Sequence, residues 1–250
     1  MNSVSVIKDG GLAIVTMERG KVNALNPELV EELSATFSDL GKDDGIRVVL
    51  FTGRGKFFSF GFDIPEFMAS SRDKFTTFLI QFTNLYTEMF LFPKPLIASI
   101  NGHAIAGGCM LATACDYRIM VAGRSKIGVN ELAFGSTVFA GSVEMLKFCV
   151  GQRNAGTILY SSQLYSGSEA MGLGLVDRMS TSLDLMRDTR EVAHIFALKQ
   201  PDAFKSIKGL LRNPVREAMI KKESHSIHKF VDIWCSEATM SNLKEIKIPD

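Results

Sequence analysis

The 250-residue sequence has little of several features that mark whole classes of protein. It has no apolar run near the roughly 18 residues that a membrane-spanning helix needs, so a membrane partner is not expected. Its net charge is +1, from 28 Lys+Arg and 27 Asp+Glu, which argues against a nucleic-acid binder. With 46% hydrophobic and 22% charged residues, the composition is that of a globular protein of one large domain or two small ones.

Cysteine and histidine patterns that hold metals are also absent. No C-x-x-C pair occurs, so a zinc ribbon or a thioredoxin-type redox motif is not indicated. His225 and His228 lie three residues apart on a predicted helix, but the sequence has no H-E-x-x-H motif. We therefore expect neither a metal nor a resident cofactor. The cysteines are read as small core residues in a reducing compartment: Cys109, Cys115, Cys149 and Cys235.

The two ends of the sequence have none of the targeting patterns we sought. The first residues lack a charged and then apolar leader, and the last four, Lys247 to Asp250, are not a peroxisomal S-K-L address. A cytoplasmic location is the expectation.

The first part of the chain alternates strand and helix patterns. Residues 12–17 and 46–52 are short, β-branched apolar runs, and the second is apolar on both faces, like a buried parallel strand. The helix between them begins with Asn26 as N-cap and Pro27 at its first position, and Gly41 is expected to end it. Strand, helix and strand together predict a βαβ unit.

The same alternation continues over the first two-thirds of the chain and then stops. A second helix is predicted over 72–91, and strands over 96–100 and 117–121. After about residue 185 only helices are expected. Pro201 is predicted to open one, and Asn213-Pro214 to stop it and cap another that runs to about Ile233. The pattern favours an α/β fold with a helical end.

Two glycine-containing segments are candidates for backbone donors in a site. In the segment 58–64, Gly61 permits a backbone conformation that can aim a free N–H into a cavity; the alternative is a strand-edge turn with Asp63 as a helix cap. Gly107-Gly108 opens a predicted helix, where unpaired N–H groups and the positive end of the dipole suit an anion or a developing oxyanion. The alternative is that these glycines allow close helix packing.

Glu131 is the third candidate, because it is one carboxylate inside the otherwise apolar segment 127–135. Burial there would raise its pKa and suit it to acid/base work near neutral pH. The alternative is an ordinary turn or surface glutamate.

In this order and spacing, the segments resemble the enoyl-CoA hydratase/isomerase (crotonase) superfamily over nearly the whole chain. Each motif is weak alone, but the ordered set is specific. The motifs are Asn23-Ala24-Leu25-Asn26, Phe58 to Ile64, Lys94-Pro95, Asn101-Gly102-His103-Ala104, Ala106-Gly107-Gly108, Cys115-Asp116-Tyr117-Arg118, Gly128 to Gly135, and Glu169-Ala170 followed by Gly174-Leu175-Val176-Asp177.

The resemblance implies a ClpP-like spiral of ββα units over residues 1–190 and a C-terminal helical region over 191–250 that builds a homotrimer or a dimer of trimers. It implies an acyl-CoA thioester substrate, whose CoA is part of the substrate and not a cofactor, and a place in fatty-acid metabolism. The thioester oxygen would be held by the backbone N–H groups of Phe62 and Gly107. The substrate would also be bound by Phe60, Gly61, Asp63, Ile64 and Asn130.

The carboxylates decide the subgroup that the sequence resembles. Hydratases of the superfamily use two, and the first of their places is Met110 here. The further acid of the dienoyl-CoA isomerases falls on Phe139. Glu131 remains, and Gly128, Asn130 and Glu131 form a pattern similar to that of the 3,2-trans-enoyl-CoA isomerases. The resemblance thus implies that Glu131 moves a proton from C2 to C4 of a 3-enoyl-CoA.

Two other functions stay open at this point: another crotonase reaction, such as weak hydration or thioester hydrolysis, and a non-catalytic acyl-CoA-binding protein. The length of the acyl pocket is also open. Five phenylalanines either narrow it or belong to the core: Phe60, Phe62, Phe67, Phe134 and Phe139.

Overall fold

The computed structural model describes residues 3–246, and in that range ten strands and nine helices build a mixed α/β fold with two sheets. The segments considered above for targeting, Met1-Asn2 and Lys247 to Asp250, lie outside the described residues. No helix in 3–246 is both long and apolar enough to cross a bilayer.

The larger sheet contains the predicted βαβ unit. Its strands, in spatial order, are β1 (Val4–Asp9), β2 (Leu12–Met17), β3 (Val48–Gly53), β5 (Leu96–Ile100), β7 (Tyr117–Val121) and β10 (Arg178–Ser180). Strands β1 and β2 are antiparallel, and every other neighbouring pair is parallel. β3 is buried along its whole length, as its two apolar faces predict.

A smaller sheet lies nearer the site and was not predicted, because its strands have only two or three residues each. In spatial order they are β4 (Phe57–Ser59), β6 (His103–Ile105), β8 (Lys126–Gly128) and β9 (Tyr165–Ser166). Strands this short have too few residues to show a period of two.

The helices pack around both sheets. They are α1 (Pro27–Lys42), α2 (Ile64–Met68), α3 (Arg72–Phe90), α4 (Gly107–Ala114), α5 (Ala140–Ser161), α6 (Gly167–Gly172), α7 (Leu185–Ala197), α8 (Pro201–Trp234) and α9 (Glu237–Lys244), with a 3-10 turn at Glu131–Phe134. The Asn26 cap of α1 is confirmed, since its side chain accepts a hydrogen bond from Leu29 N at 3.1 Å. The helix continues past Gly41, where its end was predicted, to Lys42.

The predicted break at Asn213-Pro214 is wrong, because α8 runs through both residues as one helix of 34. Pro214 cannot donate to the carbonyl of Leu210, which costs the helix one hydrogen bond. Both residues lie on the exposed side of α8, where water can bond to that carbonyl. Arg212, directly before Asn213, donates to the carbonyls of Phe90 at 2.7 Å and Ala114 at 2.9 Å, and this buried anchor holds α8 in place.

The helical end is fastened to the larger sheet by a buried charge cluster. Asp116 accepts hydrogen bonds from Lys208 Nζ at 2.8 Å and from Leu96 N at 2.8 Å, and its other oxygen lies 3.0 Å from Arg212 Nη2. The predicted division at residue 190 falls inside α7, and that division and the oligomeric state stay predictions.

Candidate active site

The site is built on a close backbone contact between the loop after β4 and the start of α4. Gly61 has a φ of +97°, and a Cβ placed on it would lie 3.0 Å from the carbonyl oxygen of Ile105 and 3.3 Å from Gly107 N. Only glycine fits this conformation and this approach without strain. The Gly61 amide donates to Ser59 Oγ at 3.1 Å, which fixes the turn.

The amide of Phe62 is left free by the local pairing. Leu25 N donates to the Gly61 carbonyl at 2.7 Å, and Asp63 N donates to the Leu25 carbonyl at 2.9 Å. In such a parallel bridge the amide of the central residue points to the opposite side. In the described chain, Phe62 N–H donates to no protein acceptor.

The amide of Gly107 is the second open donor, because Gly107 is the first residue of α4 and has no helical acceptor four residues before it. The chain enters the helix through Ala106, whose φ of +52° is unusual for a residue with a side chain. Ala106 N donates to the Gly128 carbonyl at 2.8 Å, which holds this turn against β8. The positive end of α4 therefore adds to the attraction for negative charge near Gly107.

Glu131 begins the 3-10 turn that follows β8, and it is 5% exposed. Its Oε2 has no hydrogen-bond partner in the described chain, and neither has the nearby Asn130 Oδ1. Burial raises the pKa of Glu131 from its ordinary value to about 8, while the amides of Glu131 and Asn130 partly oppose this shift. Glu131 is therefore a buried carboxyl and not the surface glutamate of the alternative, and its catalytic role stays a prediction.

Phe62, Asn130 and Glu131 line one cavity of about 50 Å³. Within residues 3–246, Glu131 is the only titratable side chain among those that line it. A groove of about 900 Å³ lies elsewhere, between α1, α3 and α8, but none of the predicted site residues lines it. The cavity is lined by Phe60, Phe62, Ile64, Ile105, Ala106, Asn130, Glu131, Phe134, Phe230, Trp234 and Ile246.

The structure brings most of the predicted site residues together. Five of them line the cavity, and Gly61 and Gly107 lie in contact directly beside it. Asp63 does not line the cavity; it caps α2, accepting from Glu66 N at 3.2 Å, and pairs with Arg19 at 2.8 Å. Its geometry is that of the alternative, a helix cap. The role of each residue in binding substrate stays a prediction. The five that line the cavity are Phe60, Phe62, Ile64, Asn130 and Glu131.

The five phenylalanines divide between the pocket and the core. Phe60, Phe62 and Phe134 line the cavity. Phe67 and Phe139 are buried outside it, Phe67 against Phe78 with ring centroids 4.2 Å apart.

Four lining residues were missed: Ile105 lies between two of the quoted motifs, and the other three lie in the helical end, far along the chain from the motifs. Phe230 and Trp234 come from α8, and Ile246 follows α9. The only available signal was a pair of large aromatic residues four positions apart on one helix face.

Met110, where the resemblance places the first hydratase carboxylate, is fully buried but does not line the cavity. Phe139, where the resemblance places the dienoyl-CoA isomerase acid, is also buried. In the part of the chain that the structure describes, no group of three or more His, Cys, Asp or Glu side chains is placed to hold a metal ion.

Comparisons with known proteins point to one family. The sequence model of the enoyl-CoA hydratase/isomerase family matches residues 8–243. A Bacillus subtilis protein named "probable enoyl-CoA hydratase" is 35% identical over 214 residues, which is 84% of this chain and 82% of that protein. A Clostridium acetobutylicum protein named short-chain-enoyl-CoA hydratase is 31% identical over 210 residues, 83% of this chain and 80% of its own.

Among solved structures, human mitochondrial delta3-delta2-enoyl-CoA isomerase is similar with a TM-score of 0.93 and 25% identity, covering 97% of this chain and 95% of the human chain. The similar proteins thus include both hydratases, by sequence, and an isomerase, by structure.

Proposed function

Because the chain belongs to the enoyl-CoA hydratase/isomerase family, we propose that it converts a 3-enoyl-CoA into the conjugated 2-trans-enoyl-CoA. One observation carries the proposal: the cavity that contains the candidate site is lined, within the described chain, by a single titratable side chain, Glu131. A shift of a double bond needs one group that takes a proton and returns it. Hydration by the two-carboxylate route has no second carboxylate here, since Met110 stands in its place.

The proposed reaction moves one proton and no other atom. Glu131 carboxylate takes a proton from C2, and the electron pair of that C–H bond passes into a dienolate whose charge lies on the thioester oxygen. The amides of Phe62 and Gly107 donate to this oxygen; one such donor is worth about 3 kcal/mol. Protonated Glu131 then gives its proton to C4, and the double bond comes to rest between C2 and C3.

The environment of Glu131 suits both halves of this transfer. A pKa of about 8 makes the carboxylate a stronger base than an ordinary glutamate, and at neutral pH a minority of the molecules still have this carboxylate form. The apolar lining keeps bulk water from the dienolate, which favours return of the proton to carbon.

Hydration of a 2-enoyl-CoA is the second candidate, because the Bacillus subtilis and Clostridium acetobutylicum relatives described above are named as hydratases. It requires a water held next to C3, and Glu131 and Asn130 are the polar side chains available for this on the cavity wall, apart from the indole of Trp234.

The test is to supply hex-3-enoyl-CoA and hex-2-enoyl-CoA separately and follow both products. We expect conjugation of the first to be at least about 100-fold faster than hydration of the second. Glu131→Gln should lower kcat for conjugation by about 10²–10⁴-fold while leaving the affinity for hexanoyl-CoA within a few-fold.

Glu144→Gln is the matched control, because Glu144 lies on α5 outside the cavity and pairs with Lys147 at 2.6 Å. It should retain near-native turnover. Faster hydration than conjugation would favour the second candidate, and near-native turnover by Glu131→Gln would remove this residue from the mechanism. Tight binding without any turnover would indicate a non-catalytic acyl-CoA-binding protein.

A further inference from the structure

The cavity beside Glu131 is small for an acyl-CoA site. Its volume of about 50 Å³ is roughly a third of the 150 Å³ in which an engineered apolar cavity holds one benzene molecule. By that measure it has room for about two or three carbon atoms beyond the thioester.

One end of the cavity is lined by aromatic rings that pack on one another. Phe230 stacks on Phe139 with ring centroids 4.4 Å apart, and on Trp234 at 5.8 Å. Trp234 meets Phe134 edge-on at 6.4 Å. On the other side, the ring of Phe62 lies against Phe82 at 5.0 Å. A longer acyl tail has to displace packed rings to enter, and overpacking of a filled interior is unfavourable.

Hydrogen bonds also hold α8, which contributes Phe230 and Trp234 to the cavity wall. Glu223 accepts a hydrogen bond from Gly141 N at 2.6 Å and another from the Tyr86 hydroxyl. Three residues further along α8, Ser226 Oγ accepts from Ala140 N at 3.0 Å. These bonds join α8 to the start of α5, directly next to Phe139, and so hold Phe230 against that ring.

The 3-10 turn that contains Glu131 and Phe134 is held by hydrogen bonds from side chains of α9. Thr239 Oγ1 donates to the Gly135 carbonyl at 2.8 Å, and Asn242 Nδ2 donates to the Phe134 carbonyl at 3.1 Å. Both segments that form this wall, α8 and the 3-10 turn, are therefore held in place by hydrogen bonds to main-chain atoms.

We propose that this site selects short acyl chains, with a best fit at about four carbons, and that Phe230 and Trp234 set the limit. The inference rests on the proposed acyl-CoA site, and it concerns the chain length that the site accepts and not the reaction that follows.

The experiment measures binding apart from turnover. The affinities of the intact protein for butanoyl-, hexanoyl- and dodecanoyl-CoA are measured by calorimetry, and kcat/KM is measured for hex-3-enoyl- and dodec-3-enoyl-CoA. We expect dodecanoyl-CoA to bind at least about tenfold more weakly than hexanoyl-CoA. A tail that fitted would instead gain affinity with each buried methylene.

Phe230→Ala should strengthen dodecanoyl-CoA binding at least about tenfold and change butanoyl-CoA binding little, because the removed ring opens the end of the cavity. Phe230→Leu is made as well, so that the test survives if the alanine variant folds poorly. Phe51→Leu is the matched control: Phe51 is fully buried in β3, away from the cavity, and should leave the chain-length profile unchanged.

Equal or tighter binding of dodecanoyl-CoA by the wild-type protein would overturn the inference, as would Phe230 variants with an unchanged profile. If short chains bind best but no 3-enoyl-CoA is converted, the inference stands and the proposed isomerase function fails. If the 3-enoyl esters of both lengths are converted equally well, the isomerase function stands and the inference about chain length fails.

Discussion

Gly61 approaches Gly107 so closely that a Cβ on Gly61 would lie 3.3 Å from the Gly107 nitrogen. The contact joins the loop after β4 to the start of α4. Because Phe62 follows Gly61 directly, this one contact sets the separation of the two amides that are free to hold a thioester oxygen.

Substitution of Gly61 by alanine is expected to lower kcat by about 10²–10³-fold, the cost of losing one well-placed donor to an oxyanion. The added methyl group would meet the Ile105 carbonyl at 3.0 Å and must move one segment away from the other. KM should change much less, because the dienolate needs both donors more than the bound substrate does. Steady-state kinetics with hex-3-enoyl-CoA measures both values.

Gly123→Ala is the control for backbone strain alone. Gly123 has a φ of +119°, but nothing lies within 4 Å of a Cβ placed there. This variant should lose some stability and keep its kcat. A Gly61→Ala variant that is no slower than Gly123→Ala would contradict the role given to the Gly61–Gly107 contact.

The rate of conjugation should depend on pH through Glu131. The carboxylate is the form that takes the proton from C2, and burial raises the pKa of this group to about 8. We therefore expect kcat/KM to rise about tenfold per pH unit below pH 7 or so and to level off above about pH 8.5.

The residual activity of Glu131→Gln provides the baseline for this profile, and it should show no inflection near pH 8. A wild-type profile that is already flat from about pH 5.5 upward would mean that the carboxyl titrates at its ordinary pKa, and the buried, partner-free geometry of Glu131 would not describe the working enzyme.

The buried cluster around Asp116 is expected to matter for stability and not for chemistry. Asp116→Asn removes the charge that faces Lys208 and Arg212, both of which are buried. Breaking such a buried pair costs about 3–5 kcal/mol in the free energy of unfolding. The midpoint of urea denaturation at pH 7 measures the loss.

Asp9→Asn tests the same substitution at the surface, where Asp9 pairs with Arg190 at 3.0 Å and is 64% exposed. Such a pair contributes about 0–1 kcal/mol. Equal destabilisation by the two variants would show that the Asp116 cluster does not anchor α8.

The parts of the fold that sequence patterns predicted are the long, periodic ones. The helix capped by Asn26 and the buried strand β3 have enough residues to show their period, and both are confirmed. The short strands of the smaller sheet have no such period. The break predicted at Pro214 is wrong because the local rule for helix ends is outweighed by tertiary anchors such as Arg212, which sequence spacing cannot show.

The site residues also fall into those that the sequence could predict and those that it could not. The segments that contain Gly61, Gly107 and Glu131 were identifiable because each has a local chemical signature: glycines before a helix, and a carboxylate in an apolar run. Phe230 and Trp234 have no such signature, since aromatic residues on a helix usually belong to the core. Their place in the cavity wall depends on how α8 packs, which is a property of the whole fold.

The central claim is that one carboxyl group, Glu131, moves one proton from C2 to C4 inside a mostly apolar cavity. Conversion of hex-3-enoyl-CoA that is deuterated at both C2 positions, carried out in ordinary water, tests it most directly, with the product read by NMR. The account predicts that a substantial fraction of the product has deuterium at C4. Product in which the hydrogen added at C4 comes only from the solvent, with no deuterium there, would contradict it.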